Sequence, residues 1–455
     1  MSRRIAIAAF AVAVVLVAVA LWDYLAARQL SATVERIRAA GEPVLNDIDR
    51  LRPQTDEQRE ASRYYAAAGV LVSAGWGRRF AKIDAELQAL LASRPASASP
   101  ALLQQLSQVV EQHRAFYEIL DRAAALDARG LAYGDEPRFS IADRSYAVVN
   151  GLRVAHLSLT RRSSEAVHAL RSTIAVARVS SHLWKVGLDT TRDVELLLTY
   201  APPSAAELQQ LQTAFQGMEI DADVREALMK ERARLITMAW PAAASPPMVL
   251  PRVRQTRASG SPLISWLQRP LNTMGLQRAL RAFEEAMAPA VQPWPSKLDA
   301  VEEFAKRYPA TQLPSPLDGG LRRYFRDLWG VPMPFERFAA QALSGATVNV
   351  ARDVTAKGLV TTALAVERYR RDHDGAPPAS LDDVVPRYLS SVPMDPRSGG
   401  PLRYIKRADS FIVYSIGTNR VDDGGDRSPV TGGKFQPTGS LPAPKDVVLE
   451  VRFGF

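Results

Sequence analysis

Near the C-terminal end four oxygen-bearing side chains fall close together. They are Asn419, Asp422, Asp423 and Asp426, within Gly417-Thr418-Asn419-Arg420-Val421-Asp422-Asp423-Gly424-Gly425-Asp426. Calcium takes about six to eight oxygens in a flexible cage. The run offers up to four side chains, and its glycines let backbone carbonyls turn inward. EF-hand spacing is absent. The residues leave two readings open: a calcium site, or an ordinary polar loop behind a hairpin. Other chemistry has less to work with. The chain has no cysteine, which excludes a disulfide framework, a thiolate zinc site and a Cys nucleophile. Its five histidines, His113, His156, His168, His182 and His373, are scattered, with no two at metal-ligand spacing. There is no G-x-S-x-G elbow, H-E-x-x-H pair, P-loop or dinucleotide-binding glycine pattern. Gly425 to Lys434 is glycine-rich without phosphate-loop spacing. Carboxylate pairs on exposed helices are too common to mark a glycosidase. No catalytic residue is assigned, and the reading leans away from an enzyme.

Charge narrows the partners. The 57 Lys and Arg against 48 Asp and Glu give a net +9, mostly from dispersed arginine. The densest spots are Arg161-Arg162 and Arg368, Arg370 and Arg371. A nucleic-acid interface would need a basic stripe with interleaved aromatics, and none is present. These charges read as solvated helix faces.

Something must hold the acidic loop in place, and the chain has material for it. It is 455 residues long with 47% apolar residues, enough for several packed units. Ile5 to Leu21 is an unbroken apolar run, followed by Trp22. As a helix it spans roughly 26 Å, near the lower limit for crossing a bilayer. Arg3 and Arg4 in front predict a cytoplasmic N-terminus, and Trp22 and Tyr24 suit the far interface. Ala18-Val19-Ala20 could serve a signal peptidase, but the run is longer than a signal peptide's apolar core. Residues 1–30 are therefore expected to be a membrane anchor, with a cleaved signal peptide as the alternative. Either way the bulk of the chain is exported. The expected localisation is the inner membrane, single-pass through residues 5–22, with the remainder periplasmic or otherwise extracytoplasmic.

Residues 31–240 read as a helical body. Leu102, Leu106, Val109, His113, Phe116, Leu120 and Ala123 alternate at four and three, a bundle seam on one helix over Ala101 to Asp127. His113 on that seam is expected to be a satisfied core histidine. Arg78 to Ser93 is a helix ended by the 94–100 Pro/Ser/Ala run, and the two helices suggest a hairpin. Ser164 to Lys185 is a further helix, with Val167, Leu170 and Ile174 on one face and His168 beside it. Thr190 with Asp193, and Ser204 with Glu207, carry capping-box spacing. Asp223 to Trp240 is amphipathic. A bundle or α-hairpin array accounts for this better than a helical repeat, because no 34-residue period appears. Residues 241–345 read as a proline-rich connector. Helices are not expected through Pro241 to Pro270, although Leu276 to Met287 and Leu321 to Leu328 return to helix.

Residues 346–455 read as an α+β module. A helix covers Ala351 to Asp372, and Gly375 is placed for a left-handed cap. Ser380 with Asp383 caps a short second helix. Leu402 to Lys406 and Phe411 to Ile416 alternate in period two as an antiparallel hairpin. Val447, Leu449, Val451 and Phe453 add a final strand.

This order resembles the globular part of the major pseudopilin of type II secretion. Tyr369, Arg370, Asp372, Gly375 and Pro378 match the turn after the family's long helix. Pro393, Asp395 and Pro396 match its Pro-x-Asp-Pro turn, and Tyr414, Ser415 and Gly417 its Tyr-Ser-x-Gly. The resemblance covers roughly 75 residues. It implies a calcium-binding loop after the hairpin, here Asn419, Asp422, Asp423 and Asp426, with Asn419 where the family often has Asp. The chain lacks the prepilin-peptidase site, and more than 300 residues separate its apolar run from the module. Pilus-like polymerisation is therefore not implied. The layout is also similar to that of bacterial membrane-anchored proteins ending in this module.

The expected fold is mainly α: a transmembrane helix, a helical bundle or α-hairpin array, and a small pseudopilin-like α+β domain with an antiparallel sheet. The expected function is a non-catalytic envelope scaffold or interaction module with a protein partner, beside a secretion or pilus-like system. An exported enzyme acting on an envelope polymer and a helical peptide binder are the alternatives.

Overall fold

The computed structural model describes residues 3–44, 55–72, 78–93, 97–126, 139–179, 190–218, 220, parts of 224–237, 262–307, 335–429 and 444–453. It is mostly helical, with one small antiparallel sheet. Two compact units result. One is Met1–Pro53, Val224–Gln292 and Asp299–Thr347; the other is Gln54–Asp223, Pro293–Leu298 and Val348–Phe455.

In the first unit, α1 (Arg3–Ala39) is a single helix with two characters. Its early part is apolar and exposed, as at Phe10, Val12 and Val17. It is long and apolar enough to cross a membrane. Its later part buries Ala26, Leu30, Val34 and Ile37, spaced four, four and three apart on one face. That face packs on α10 (Pro262–Ala290). Gln277 Nε2 donates to the Ala26 carbonyl at 2.8 Å, and Arg269 stands 3.5 Å from Asp23. The expected helix break up to Pro270 is corrected here. Pro262 opens α10, where its missing N–H is lost without cost, and Pro270 lies inside the helix. An interior proline costs about 3 kcal/mol. Burial of Leu276, Leu280 and Phe283 on the same helix offsets it. A further helix, α11 (Ser296–Arg307), begins in the second unit and continues in the first from Asp299. The Asp223 to Trp240 helix is described only in part, and Leu321 to Leu328 lies outside the described residues.

In the second unit, α2 (Asp56–Val72), α3 (Arg78–Ser93), α4 (Pro100–Gln112), α5 (Arg114–Ala124) and α6 (Phe139–Leu159) share an apolar core with Tyr65, Leu87, Leu106, Phe116 and Tyr146 at its centre. Ser99 caps α4 by accepting from the Leu102 amide at 3.2 Å. The single helix expected over 101–127 breaks at His113, whose backbone leaves the helical region. The imidazole is half-buried, with Nδ1 at 2.9 Å from the Val109 carbonyl, so it is not a core residue.

Next come α7 (Ser163–Val179), α8 (Thr191–Tyr200) and α9 (Ala205–Gln216). Ser204 and Glu207 form the expected capping box. Thr190 and Asp193 do not. The Asp193 carboxylate instead accepts from Arg192 at 3.1 Å, and Arg192 also reaches Asp84. Beside them a β-carbon on Gly151 would stand 2.9 Å from Arg192 Nη2, so glycine is what admits this pair.

The last helix, α12 (Phe335–Asp372), starts four turns before the expected position. A short 3-10 helix, Leu381–Val384, follows with the expected Ser380/Asp383 capping box. The sheet has order β1-β2-β3: β1 (Arg403–Lys406), β2 (Ser410–Ile416) and β3 (Asp446–Arg452), all antiparallel. Every residue of the central β2 is buried. Phe411, Val413, Leu449 and Val451 join one core with Leu170, Leu197, Leu211 and Phe215 of the helical body and Leu359, Ala363 and Val366 of α12. Thus, within the second unit, 154–218 and 359–451 meet in one hydrophobic core.

A shared core has a measurable consequence. Phe411→Ala should lower stability by about 3–5 kcal/mol. Hydrogen exchange on the full chain should speed in α7 and α9 as well as in β2. Loss of protection confined to 403–453 would contradict the shared core.

Candidate functional site

The 417–428 segment leaves β2 and turns over one face of the sheet. Gly417 sits where the chain crosses the strand leading into β3. A β-carbon there would lie 1.7 Å from the Lys445 carbonyl oxygen, so no other residue fits. Gly425 has φ +80°, the left-handed region that favours glycine. It lies against Ile405, Ile412 and Tyr414. The last two form, with Val448, the sheet's second apolar face. The loop is therefore a cover for that face.

The four expected ligands are all described, and each is engaged. Asn419 Nδ2 donates to Asp423 Oδ2 at 2.7 Å. Asp422 accepts from Arg403 Nε at 2.8 Å and from the Tyr414 hydroxyl at 3.1 Å. Asp426 accepts from Lys445 Nζ at 2.9 Å, and from the Ser428 amide at 2.8 Å and hydroxyl at 2.7 Å. Those hydrogen bonds, led by Lys445, hold the Asp426 carboxyl down at about 2. Burial pushes the Tyr414 hydroxyl up to about 12, and its bond to Asp422 adds to the effect. Among the described residues, no three His, Asp or Glu side chains are placed to hold one metal ion. Of the four residues that the resemblance implies, Asp422 is paired with Arg403 and Asp426 with Lys445.

One acid joins the loop that the sequence pattern did not single out. Asp446 opens β3, and its Oδ2 accepts from the amides of Gly425 at 2.8 Å and Asp426 at 3.3 Å. Its Oδ1 is buried without a hydrogen-bond partner. Burial raises this carboxyl, and the negative charges of Asp423 and Asp422 raise it further. Its neighbour Val447 opens the alternating pattern of the final strand, the one sequence signal beside it. Arg403 and Lys445 gave none, because ion-pair partners 19 residues apart carry no spacing rule.

The matched motif residues serve the same scaffold. Asp395 is fully buried and accepts from Ser415 Oγ at 2.8 Å and from the amides of Ile416 at 3.1 Å and Arg397 at 2.9 Å. It pins the Pro-x-Asp-Pro turn to the end of β2. Arg370 donates to buried Glu367, reaches the Gly375 carbonyl at 3.4 Å, and covers the Phe453 ring. Gly375 takes φ +83°, the expected left-handed cap.

Two other polar clusters could carry chemistry. Asp121 accepts two bonds from Arg153, both at 2.9 Å, and one from Ser172 Oγ at 2.7 Å. His168 Nε2 stands 3.3 Å away. Burial would raise the Asp121 carboxyl, but Arg153, Ser172 and His168 together hold it below the usual range. The serine proton points at the carboxylate and not at the imidazole, so this is no nucleophile–base pair. The second cluster joins α8 to the sheet. Arg427 Nη2 donates to both Glu195 oxygens, at 2.9 and 2.8 Å. Glu450 of β3 pairs with Arg407 at 3.1 Å. Burial pushes the Glu195 carboxyl up to about 7; Arg427 and the Glu450 backbone amide oppose the rise, and the Glu450 charge adds to it. A carboxyl titrating near neutrality is what an acid–base enzyme uses. This one is closed off from solvent and held by Arg427.

No protein-family model, no curated protein and no solved structure matches the chain.

Glu195 sets a pH dependence. A carboxyl raised from 4.5 to about 7 contributes stability that is present below pH 4.5 and lost as pH rises through about 7. The full span is on the order of 3 kcal/mol. Glu195→Gln removes that component. The stability of the native chain relative to this variant should therefore fall between pH 4.5 and 7.5 in urea unfolding. A difference that stays constant or grows would contradict the assignment.

Proposed function

We propose that this protein is a non-catalytic, single-pass scaffold of the cell envelope. Residues 5–22 anchor it in the inner membrane, the N-terminus is cytoplasmic, and the bulk is periplasmic. There it docks a protein partner beside a secretion or pilus-like machine. One observation carries the reading. The apolar, exposed part of α1 and the part that packs on α10 are one continuous helix. A helix built this way fixes a folded unit directly to the membrane, with no flexible tether between them. Release by cleavage after Ala20 would cut within this helix. The paired state of Asp121 and Glu195 supports the non-catalytic part. The pseudopilin-like order of turns and strands in 369–417 supports the link to type II secretion, as a borrowed scaffold and not as a pilus subunit.

Topology is directly testable because the chain has no native cysteine. Single variants Ser2→Cys and Ser93→Cys report the two sides. A membrane-impermeant maleimide added to spheroplasts should label Ser93→Cys and spare Ser2→Cys until the membrane is opened. Both should stay with membranes after carbonate extraction. A mature chain lacking its first twenty residues, or the opposite labelling, would contradict the anchor. Release of soluble fragments from isolated envelope polymers by the purified chain would contradict the non-catalytic assignment.

A further inference from the structure

Helix α10 runs beside α1 in the same direction, and their contacts fix the register. Arg269 pairs with Asp23 at 3.5 Å, Gln277 donates to the Ala26 carbonyl, and Glu284 pairs with Arg36 at 3.2 Å. Residue numbers rise together on both helices, so the start of α10 points back along α1 toward its apolar end. Of these contacts, Arg269 with Asp23 is nearest that end, and Asp23 directly follows the apolar run and Trp22. Yet α10 begins earlier, at Pro262. From Arg269 back to Pro262 a helix covers about 10 Å. The stretch opens Pro262-Leu263-Ile264-Ser265-Trp266-Leu267, without a charge. The burial of α1 shows contact beyond Asp23 as well. From Ala9 to Trp22 every residue is exposed except Val19, which is half-buried. Val19, Asp23, Ala26, Leu30, Val34 and Ile37 follow one another at four or three positions, so they share one face. The face of α1 that packs on α10 thus continues into the apolar run.

We propose that the first turns of α10, Pro262 to Leu267, lie in the periplasmic leaflet of the bilayer beside α1, so that the first unit holds the membrane at two segments and not at one. The inference rests on the anchor reading above, because it needs the apolar run of α1 to be in the bilayer. Six residues are far too few to span a bilayer. They suit the boundary between headgroups and acyl chains, where interfacial helices sit about 5–10 Å deep and tryptophan is enriched. The start of the helix limits the depth. Its first amides lack intrahelical acceptors, which headgroup phosphates and water supply and hydrocarbon does not. Pro262 has no N–H and removes one of these orphan donors. The Asp23–Arg269 pair then lies at the membrane surface, with each charge offset by the other. A second lipid contact also stops the first unit from turning about the axis of α1.

The test uses the full-length chain in phosphatidylcholine vesicles. Because there is no native cysteine, the single variants Ala13→Cys, Ile264→Cys, Ser265→Cys, Trp266→Cys and Ser93→Cys can each carry one NBD fluorophore. Lipids brominated near the glycerol end or near the acyl tail quench by contact. At least one of the three α10 probes should be quenched several-fold more than the Ser93 probe, and more by the shallow bromine than by the deep one. The Ala13 probe should be quenched more by the deep bromine. A quenched Ala13 probe, with all three α10 probes no more quenched than Ser93, would overturn the inference and leave the anchor standing. An unquenched Ala13 probe would overturn both. The unmodified chain gives the same reading if a variant does not fold. A lipid carrying a diazirine near the glycerol end of its acyl chain should crosslink within 262–267 as well as to α1, and crosslinks to α1 alone would overturn the proposal.

Discussion

Strand β2 has no solvent face, and the arrangement of the second unit follows from having to cover it twice. A three-stranded sheet cannot do this alone, since its neighbours β1 and β3 lie beside β2 and not above or below it. One face is covered by helices drawn from far apart in the chain, with Leu170, Leu197 and Phe215 on one side and Leu359 and Val366 on another. The opposite face is smaller. It carries Ile412, Tyr414 and Val448, with Ile405 against them, and the acidic loop closes over it. Hydrophobic burial thus explains why the C-terminal module is not an appendage of the helical body.

Covering apolar strands with a polar loop creates an electrostatic problem at the loop's edge. The solution is a set of ion pairs that each cross between elements: Arg403 to Asp422, Lys445 to Asp426, Arg427 to Glu195, and Arg407 to Glu450. Surface pairs of this kind are individually weak. Glu195 and Glu450 are buried, however, and leaving either without its arginine would strand a charge away from water. These pairs therefore act less as glue than as a specification of register. They hold only if β1, β3, α8 and the loop are all in place.

What was legible in the sequence was local. The Ser204/Glu207 and Ser380/Asp383 caps, the Gly375 turn and all three strands depend on residues a few positions apart, and they form as spaced. The acidic residues of the loop were visible for the same reason. The failures were long-range. Thr190 lost its capping partner because Arg192, held also by Asp84 more than a hundred residues away, takes Asp193. Pro270 sits inside a helix because packing outweighs propensity. The cations that hold the loop were invisible, because nothing in a one-dimensional pattern says that Lys445 returns to Asp426. Alternation along β2 marks a strand but not that both its faces are buried, because the second cover is the loop itself.

The central claim is that the sheet module depends on the helical body for its core. Its most direct test is to express residues 340–455 alone and to follow near-ultraviolet circular dichroism and urea unfolding. Without Leu170, Leu197, Leu211 and Phe215, Phe411 and Val413 lose their cover. The fragment should show no cooperative transition and no fixed aromatic signal. A fragment that unfolds cooperatively with native-like tertiary signal would contradict the account.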